Sequence, residues 1–174
     1  MATIIYDALH EEYEKAGSTH GKHSVGPSEL VGNEDEFNPW DTQTTQRIHV
    51  ADISDVVTAR QQGRELAVRN GSSEMEATLV ATVISELSRN MVLYAQGGTI
   101  SLSTTNGTQG TGVVIGAKDN GPGIPNIDRV MLGGYSTAGG LGLGLSGVRR
   151  IADEFLVDTK AGKGTKISVT KWLQ

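Results

Sequence analysis

An α+β fold is predicted, a two-layer α/β sandwich in which a mixed, mostly antiparallel sheet carries helices on one face. Three observations predict it. Helical apolar spacing is confined to a few long segments; two pairs of alternating, strand-like segments are joined by short turns over 106–111 and 162–164; and 174 residues suffice for one well-buried domain but not two. Strand pairs closed by hairpins need neighbouring antiparallel partners, and the segregated helices then cover one side.

At the start, Ile4, Ile5, Ala8, Leu9 and Tyr13 form a short apolar stripe between acids, suited to a small amphipathic helix ending near Gly17. From Gly17 to Thr45 apolar residues are sparse and Phe37 and Trp40 are the only aromatics. Such a stretch buries too little to offset its ordering entropy, so residues 1–45 are expected to be an acidic, largely flexible extension and 46–174 the folded domain.

Arg47–Ala51 reads as the first strand. Asp52 or Ser54 caps a helix running to about Val68, closed by Asn70-Gly71. Ser73 with Glu76 three residues on is a capping box, and Leu79, Val80, Val83, Ile84, Leu87 and Met91 then repeat at helical spacing. Gly97-Gly98 breaks that helix. Thr99–Thr105 and Gly112–Lys118 read as a hairpin, Leu145–Phe155 as a helix, and Leu156–Thr159 and Lys166–Trp172 as a last strand pair.

Composition excludes several classes. There is no cysteine, hence no disulfide framework, thiolate metal site or cysteine nucleophile. Met1–Asp7 has neither a basic start nor an apolar run, which fits a soluble, cytoplasmic protein with no membrane association. Of the chain's 20 acids and 15 bases, nine acids and two bases (Lys15, Lys22) fall in residues 1–45; the remaining eleven acids and thirteen bases leave the body only slightly basic. Nucleic acid is therefore not an expected partner. His20 and His23 have no third ligand and are assigned no metal.

Glu86 and Asn90 lie four residues apart on one helix, so a carboxylate and an amide project from the same face. A carboxylate can accept a substrate hydroxyl's proton, and an amide oxygen is a hard ligand for magnesium. Asp119, followed by Gly121 and Gly123 around Pro122, ends a strand in a turn; its carboxylate is an acceptor suited to the exocyclic amine of adenine, though the same residues suit an ordinary turn. Gly140-Leu141-Gly142-Leu143-Gly144-Leu145 leads into a helix, and backbone amides of such a segment can approach phosphates as a mobile lid. It is neither a Walker loop nor a dinucleotide fingerprint. Gly164-Thr165 opens the last strand, where the hydroxyl of Thr165 can stand beside Asp119. Arg149 and Arg150 suit either a phosphate contact or a solvated face.

In this order, Glu86/Asn90, Asp119-x-Gly121-x-Gly123, Gly140-x-Gly142-x-Gly144 and Gly164-Thr165 resemble the N, G1, G2 and G3 boxes of the GHKL superfamily of gyrase B, Hsp-type chaperones, histidine kinases and MutL. The resemblance covers about residues 46–174. It implies the Bergerat ATP-binding fold, with Mg2+ held through Asn90, adenine read by Asp119 with help from Thr165, and Gly140–Leu145 closing over the phosphates. Glu86, the small size, and the segments Ile84–Asn90 and Ser146–Arg150 resemble the serine/threonine kinases of bacterial partner-switching modules, most of all the RsbT-type switch kinases of the stressosome. That likeness implies transfer of phosphate from ATP to STAS-domain proteins (RsbS/RsbR-like), followed by activation of an RsbU-like phosphatase. Two alternatives stand beside it: an anti-sigma-factor kinase that sequesters a sigma subunit, and a non-catalytic, nucleotide-dependent binding module. The acidic extension has no counterpart in the family pattern.

Overall fold

The computed structural model describes residues 46–131 and 144–174. Strands β1 (Gln46–Val50), β2 (Gly98–Gly107), β3 (Gly110–Asp119), β4 (Glu154–Thr159) and β5 (Thr165–Trp172) form one sheet in the order β1-β2-β3-β5-β4. Every neighbouring pair is antiparallel, so the mixed sheet allowed by the sequence is wholly antiparallel among the described residues. The helices are α1 (Ile53–Arg69), α2 (Glu74–Tyr94), α3 (Ile127–Met131) and α4 (Gly144–Ile151). The expected helix over residues 4–13 and the flexible stretch that follows lie outside the described residues.

Two boundaries differ from expectation. The helix read to Phe155 stops at Ile151, and β4 begins at Glu154 rather than Leu156. The cause is tertiary: Asp153 N–H donates to the Thr170 carbonyl (3.0 Å), while the Asp153 carboxylate accepts from Trp172 N–H (2.7 Å) and the Lys171 ammonium (3.0 Å). These bonds to β5 draw the chain out of the helix. The one-turn α3 was not anticipated; Asn126 Oδ1 accepts from Arg129 N–H (3.0 Å) at its start.

The two long helices begin as their sequences dictate. Asp52 accepts from Ser54 N–H (2.7 Å) and Asp55 N–H (3.1 Å), satisfying donors that the first turn of α1 cannot pair internally. At α2, Ser73 Oγ accepts from Glu76 N–H (3.3 Å) and Glu76 Oε2 accepts from Ser73 N–H (2.8 Å) and Oγ–H (2.7 Å). The other oxygen, Glu76 Oε1, accepts from Gln174 N–H (2.8 Å), fastening the end of β5 to the start of α2.

All four described helices pack on one face of the sheet. Ile48, Val50, Ile100, Leu102, Val113, Ile115, Ala117, Ile167 and Val169 supply that face. Val56 and Ala59 of α1, Val80, Ile84 and Leu87 of α2, and Leu145 and Val148 of α4 meet it, with α3 contributing Ile127, Val130 and Met131. The α1–α2 contact depends on Gly63, where an added Cβ would fall 1.9 Å from Ile84 Cδ1. Ile84 is fully buried, a burial that stabilises by about 1.5–3 kcal/mol.

The Ser73 hydroxyl, the Ser73 amide, the Gln174 amide and the Lys171 charge hold the Glu76 carboxyl below the usual range, against the opposing effect of burial. Because the folded-state pKa is lowered, this contribution is complete above the ordinary glutamate range and disappears as pH falls through the lowered value. Glu76→Gln is expected to lower unfolding stability near neutral pH by roughly 1 kcal/mol and to differ little from the parent near pH 3. Urea unfolding of both proteins at the two pH values measures this; a gap that widens in acid would contradict the assignment.

Candidate active site

β3 and β5 end side by side with Asp119 opposite Thr165, and β4 sets Thr159 opposite Thr165 from the other side. Asp119 Oδ1 accepts from Gly121 N–H (2.9 Å), closing the turn that follows the strand, and from Thr165 N–H (3.2 Å) across the sheet. No hydrogen bond among the described residues engages Oδ2. The carboxylate is thus fixed through one oxygen, leaving the other as an acceptor.

The glycines around this carboxylate are required by backbone contact. Gly164 has φ +82°, and a Cβ there would lie 2.1 Å from the Asp119 carbonyl oxygen. Gly123 has φ +73°, with the Lys160 carbonyl oxygen 2.3 Å from its added Cβ. Gly121 sits against Ala95 just beyond α2, at 2.5 Å between Cβ positions.

The sequence expectation placed the Thr165 hydroxyl beside Asp119. In the structure the backbone N–H of Thr165 makes that contact, while its hydroxyl pairs with Thr159 Oγ1 at 3.0 Å. Thr159 was missed. Its hydroxyl accepts from Ile124 N–H (2.9 Å) and lies 3.3 Å from the Gly164 carbonyl oxygen, tying the turn after Asp119 to the β4–β5 hairpin. Only the β4–β5 register identifies it.

Helix α2 carries Glu86 and Asn90, and its C-terminal end meets the end of the sheet where Asp119 lies. Met91, next to Asn90, packs on Gly98, whose added Cβ would lie 2.4 Å from Met91 Sδ and 2.6 Å from the carbonyl oxygen of Lys118, next to Asp119. Glu86 lies about 200° around the helix from Ile84, which faces Gly63, so it points away from α1. Glu86 is buried and Asn90 half-buried, and neither side chain makes a hydrogen bond among the described residues. Leu145 is buried in α4 and Gly144 opens that helix with φ +53°; Gly140, Leu141, Gly142 and Leu143 lie outside the described residues. Arg149 and Arg150 are exposed on α4.

The donor set fits magnesium in one specific way. Among the described residues there is no group of three or more His, Cys, Asp or Glu able to hold a metal. Asn90 offers a single hard oxygen, as suits an ion whose remaining ligands are water and phosphate.

The chain belongs to the histidine kinase-, DNA gyrase B- and HSP90-like ATPase family, whose sequence model matches residues 75–174. Within it the chain groups with serine/threonine-protein kinases. It is 47% identical over 120 residues to serine/threonine-protein kinase RsbT of Bacillus subtilis (strain 168), covering 69% of this chain and 90% of that one. A chain of the SiaB-SiaC complex from Pseudomonas aeruginosa shares the fold, with a TM-score of 0.51 and 14% identity over 74% of this chain and 90% of the other. Among the described residues no helix is long and apolar enough to cross a membrane.

Gly164→Ala combines a side chain at positive φ with a clash against backbone that cannot rotate away. It is expected to cost at least about 1–2 kcal/mol of stability and to weaken ATP binding further than that loss alone explains. Thermal unfolding and ATP titration of the variant measure the two effects; unchanged ATP affinity would separate the β5 turn from the site.

Proposed function

We propose that this chain is a switch kinase that transfers the γ-phosphoryl group of ATP to a serine or threonine hydroxyl of a STAS-domain partner of the RsbS/RsbR type. Released from that partner, it activates an RsbU-like phosphatase in a bacterial stress-response pathway. The kinase domain spans 46–174, acts in the cytoplasm, and takes neither nucleic acid nor membrane as a partner. Likeness to RsbT supports the protein-kinase part, and the clamp on Asp119 carries the nucleotide part: a carboxylate fixed by Gly121 and Thr165 N–H with one acceptor oxygen to spare suits the amino group of adenine and opposes the keto oxygen of guanine.

Glu86 is the general base that accepts the hydroxyl proton as the substrate oxygen attacks phosphorus. It occupies a mostly buried position on α2. Asn90 supplies the protein ligand for Mg2+, which neutralises phosphate charge when bound. Gly121 and Gly123 let backbone pass close to the base, Thr165 orients Asp119, and Gly140, Leu141, Gly142, Leu143, Gly144 and Leu145 form the phosphate lid. Positioning and charge stabilisation supply most of the acceleration in such a transfer.

Asp119→Asn keeps an oxygen for the Gly121 and Thr165 amides but replaces the spare acceptor with a donor. It is expected to fold normally while binding ATP roughly 10- to 150-fold more weakly, the equivalent of a lost hydrogen bond to a charged group. Isothermal titration with ATP and GTP decides it, and undiminished ATP affinity would remove Asp119 from adenine recognition.

Glu86→Gln is expected to retain ATP binding and to slow phosphate transfer by about 10²–10⁴. Radiolabel transfer from ATP to a purified STAS-domain partner measures the rate. Parent-like transfer would show that Glu86 is not the base.

A further inference from the structure

Asp119, Thr165 and Thr159 form the last row of the sheet, one residue from each of three adjacent strands. They stand two residues from Ala117, Ile167 and Val157 respectively, all of which face the helices, so the three side chains project to the helix-covered side. Asp119 there keeps one oxygen, Oδ2, as a free acceptor among the described residues. What Thr165 offers beside it depends on where the hydroxyl protons of the two threonines point.

A hydroxyl has one proton and two lone pairs. One lone pair of Thr159 Oγ1 takes the Ile124 N–H at 2.9 Å, and an amide can only donate. The Thr159 proton then has two acceptors within reach, Thr165 Oγ1 at 3.0 Å and the Gly164 carbonyl oxygen at 3.3 Å. Thr165 is the nearer, and Gly164 also receives the Lys160 N–H at 3.4 Å. Thr165 Oγ1 makes no other hydrogen bond among the described residues. If it accepts from Thr159, its own proton points away from Thr159; if it donates to Thr159, it turns a lone pair outward instead. The first arrangement sets a donor in the same row as the Asp119 acceptor, and the second sets two acceptors there. Adenine carries an amine donor beside a ring-nitrogen acceptor, an edge that only the first arrangement matches.

Holding the turn does not by itself require the Thr159 hydroxyl. Gly162 N–H donates to the Pro122 carbonyl at 2.8 Å, and the Gly123 backbone packs on the Lys160 carbonyl, so the turn and the β4–β5 hairpin are joined twice more.

We propose that Thr159 is a positioning residue for base selection: by donating to Thr165 Oγ1 it turns the Thr165 proton toward the ring nitrogen next to the amine that Asp119 reads. Thr159 acts through Thr165 and does not touch the nucleotide. Without it the buried Thr165 oxygen faces no donor, and its proton has no fixed direction. The inference rests on adenine being read at Asp119.

Thr159→Val removes the hydroxyl with little change of shape, Thr159→Ala does so should the valine disturb folding, and Thr159→Ser restores it. Isothermal titration of each with ATP and with 1-deaza-ATP, in which that ring nitrogen is a C–H, reads the effect as a ratio of affinities. The parent and Thr159→Ser are expected to bind ATP about 3- to 10-fold more tightly than the analogue, and Thr159→Val to keep less than about half of that ratio. A purely structural tie would weaken both nucleotides alike. A ratio unchanged in Thr159→Val, or a parent that does not distinguish the two nucleotides, overturns the inference. Asp119→Asn, titrated alongside, separates it from the reading beneath it. Weaker ATP binding by Asp119→Asn together with an unchanged ratio in Thr159→Val removes the role of Thr159 alone, whereas undiminished ATP binding by Asp119→Asn removes both.

Discussion

One oxygen of Asp119 is held by two backbone amides, Gly121 N–H from the turn that follows and Thr165 N–H from the neighbouring strand. Much of the surrounding architecture serves that clamp. Antiparallel pairing of β3 with β5 sets Thr165 opposite the carboxylate, Gly164 gives the room for its backbone to pass, and Thr159 ties the turn to the β4–β5 hairpin. Both amide bonds consume the same oxygen. What remains is one acceptor on a group that cannot turn, which is a more selective element than a mobile surface carboxylate.

Helix α2 links this clamp to the rest of the chemistry. Its beginning is tied to the end of the chain through Glu76, its middle packs on α1 through Ile84 and Gly63, and its end meets the Asp119 turn through Met91 and Ala95. The face turned away from α1 carries Glu86 and Asn90. Glu86 is mostly buried there and engages in no hydrogen bond among the described residues.

Local rules made much of this legible from the sequence. Both helix starts follow from side chains that satisfy orphaned amides, at Asp52 and in the Ser73–Glu76 box, and the helical spacing from Leu79 to Met91 set Glu86 and Asn90 on a common face. Asp119 was recognisable because glycines follow it at fixed intervals. What escaped was decided by contacts distant in sequence. Glu154 and Phe155 continue an amphipathic pattern, and only the bonds from Asp153 to Thr170, Lys171 and Trp172 turn them into strand. Thr159 carries no local signal at all, since its part in the site exists only once three strands are in register.

The central claim is that adenine is read by the clamped carboxylate. The most direct measurement is the backbone amide spectrum of the isotopically labelled chain during titration with magnesium and either ATP or GTP. Saturable shifts of the Gly121 and Thr165 amides with ATP, and far smaller ones with GTP, are the predicted result. Shifts that leave those two amides unmoved by ATP, or that are equal for both nucleotides, would contradict the account.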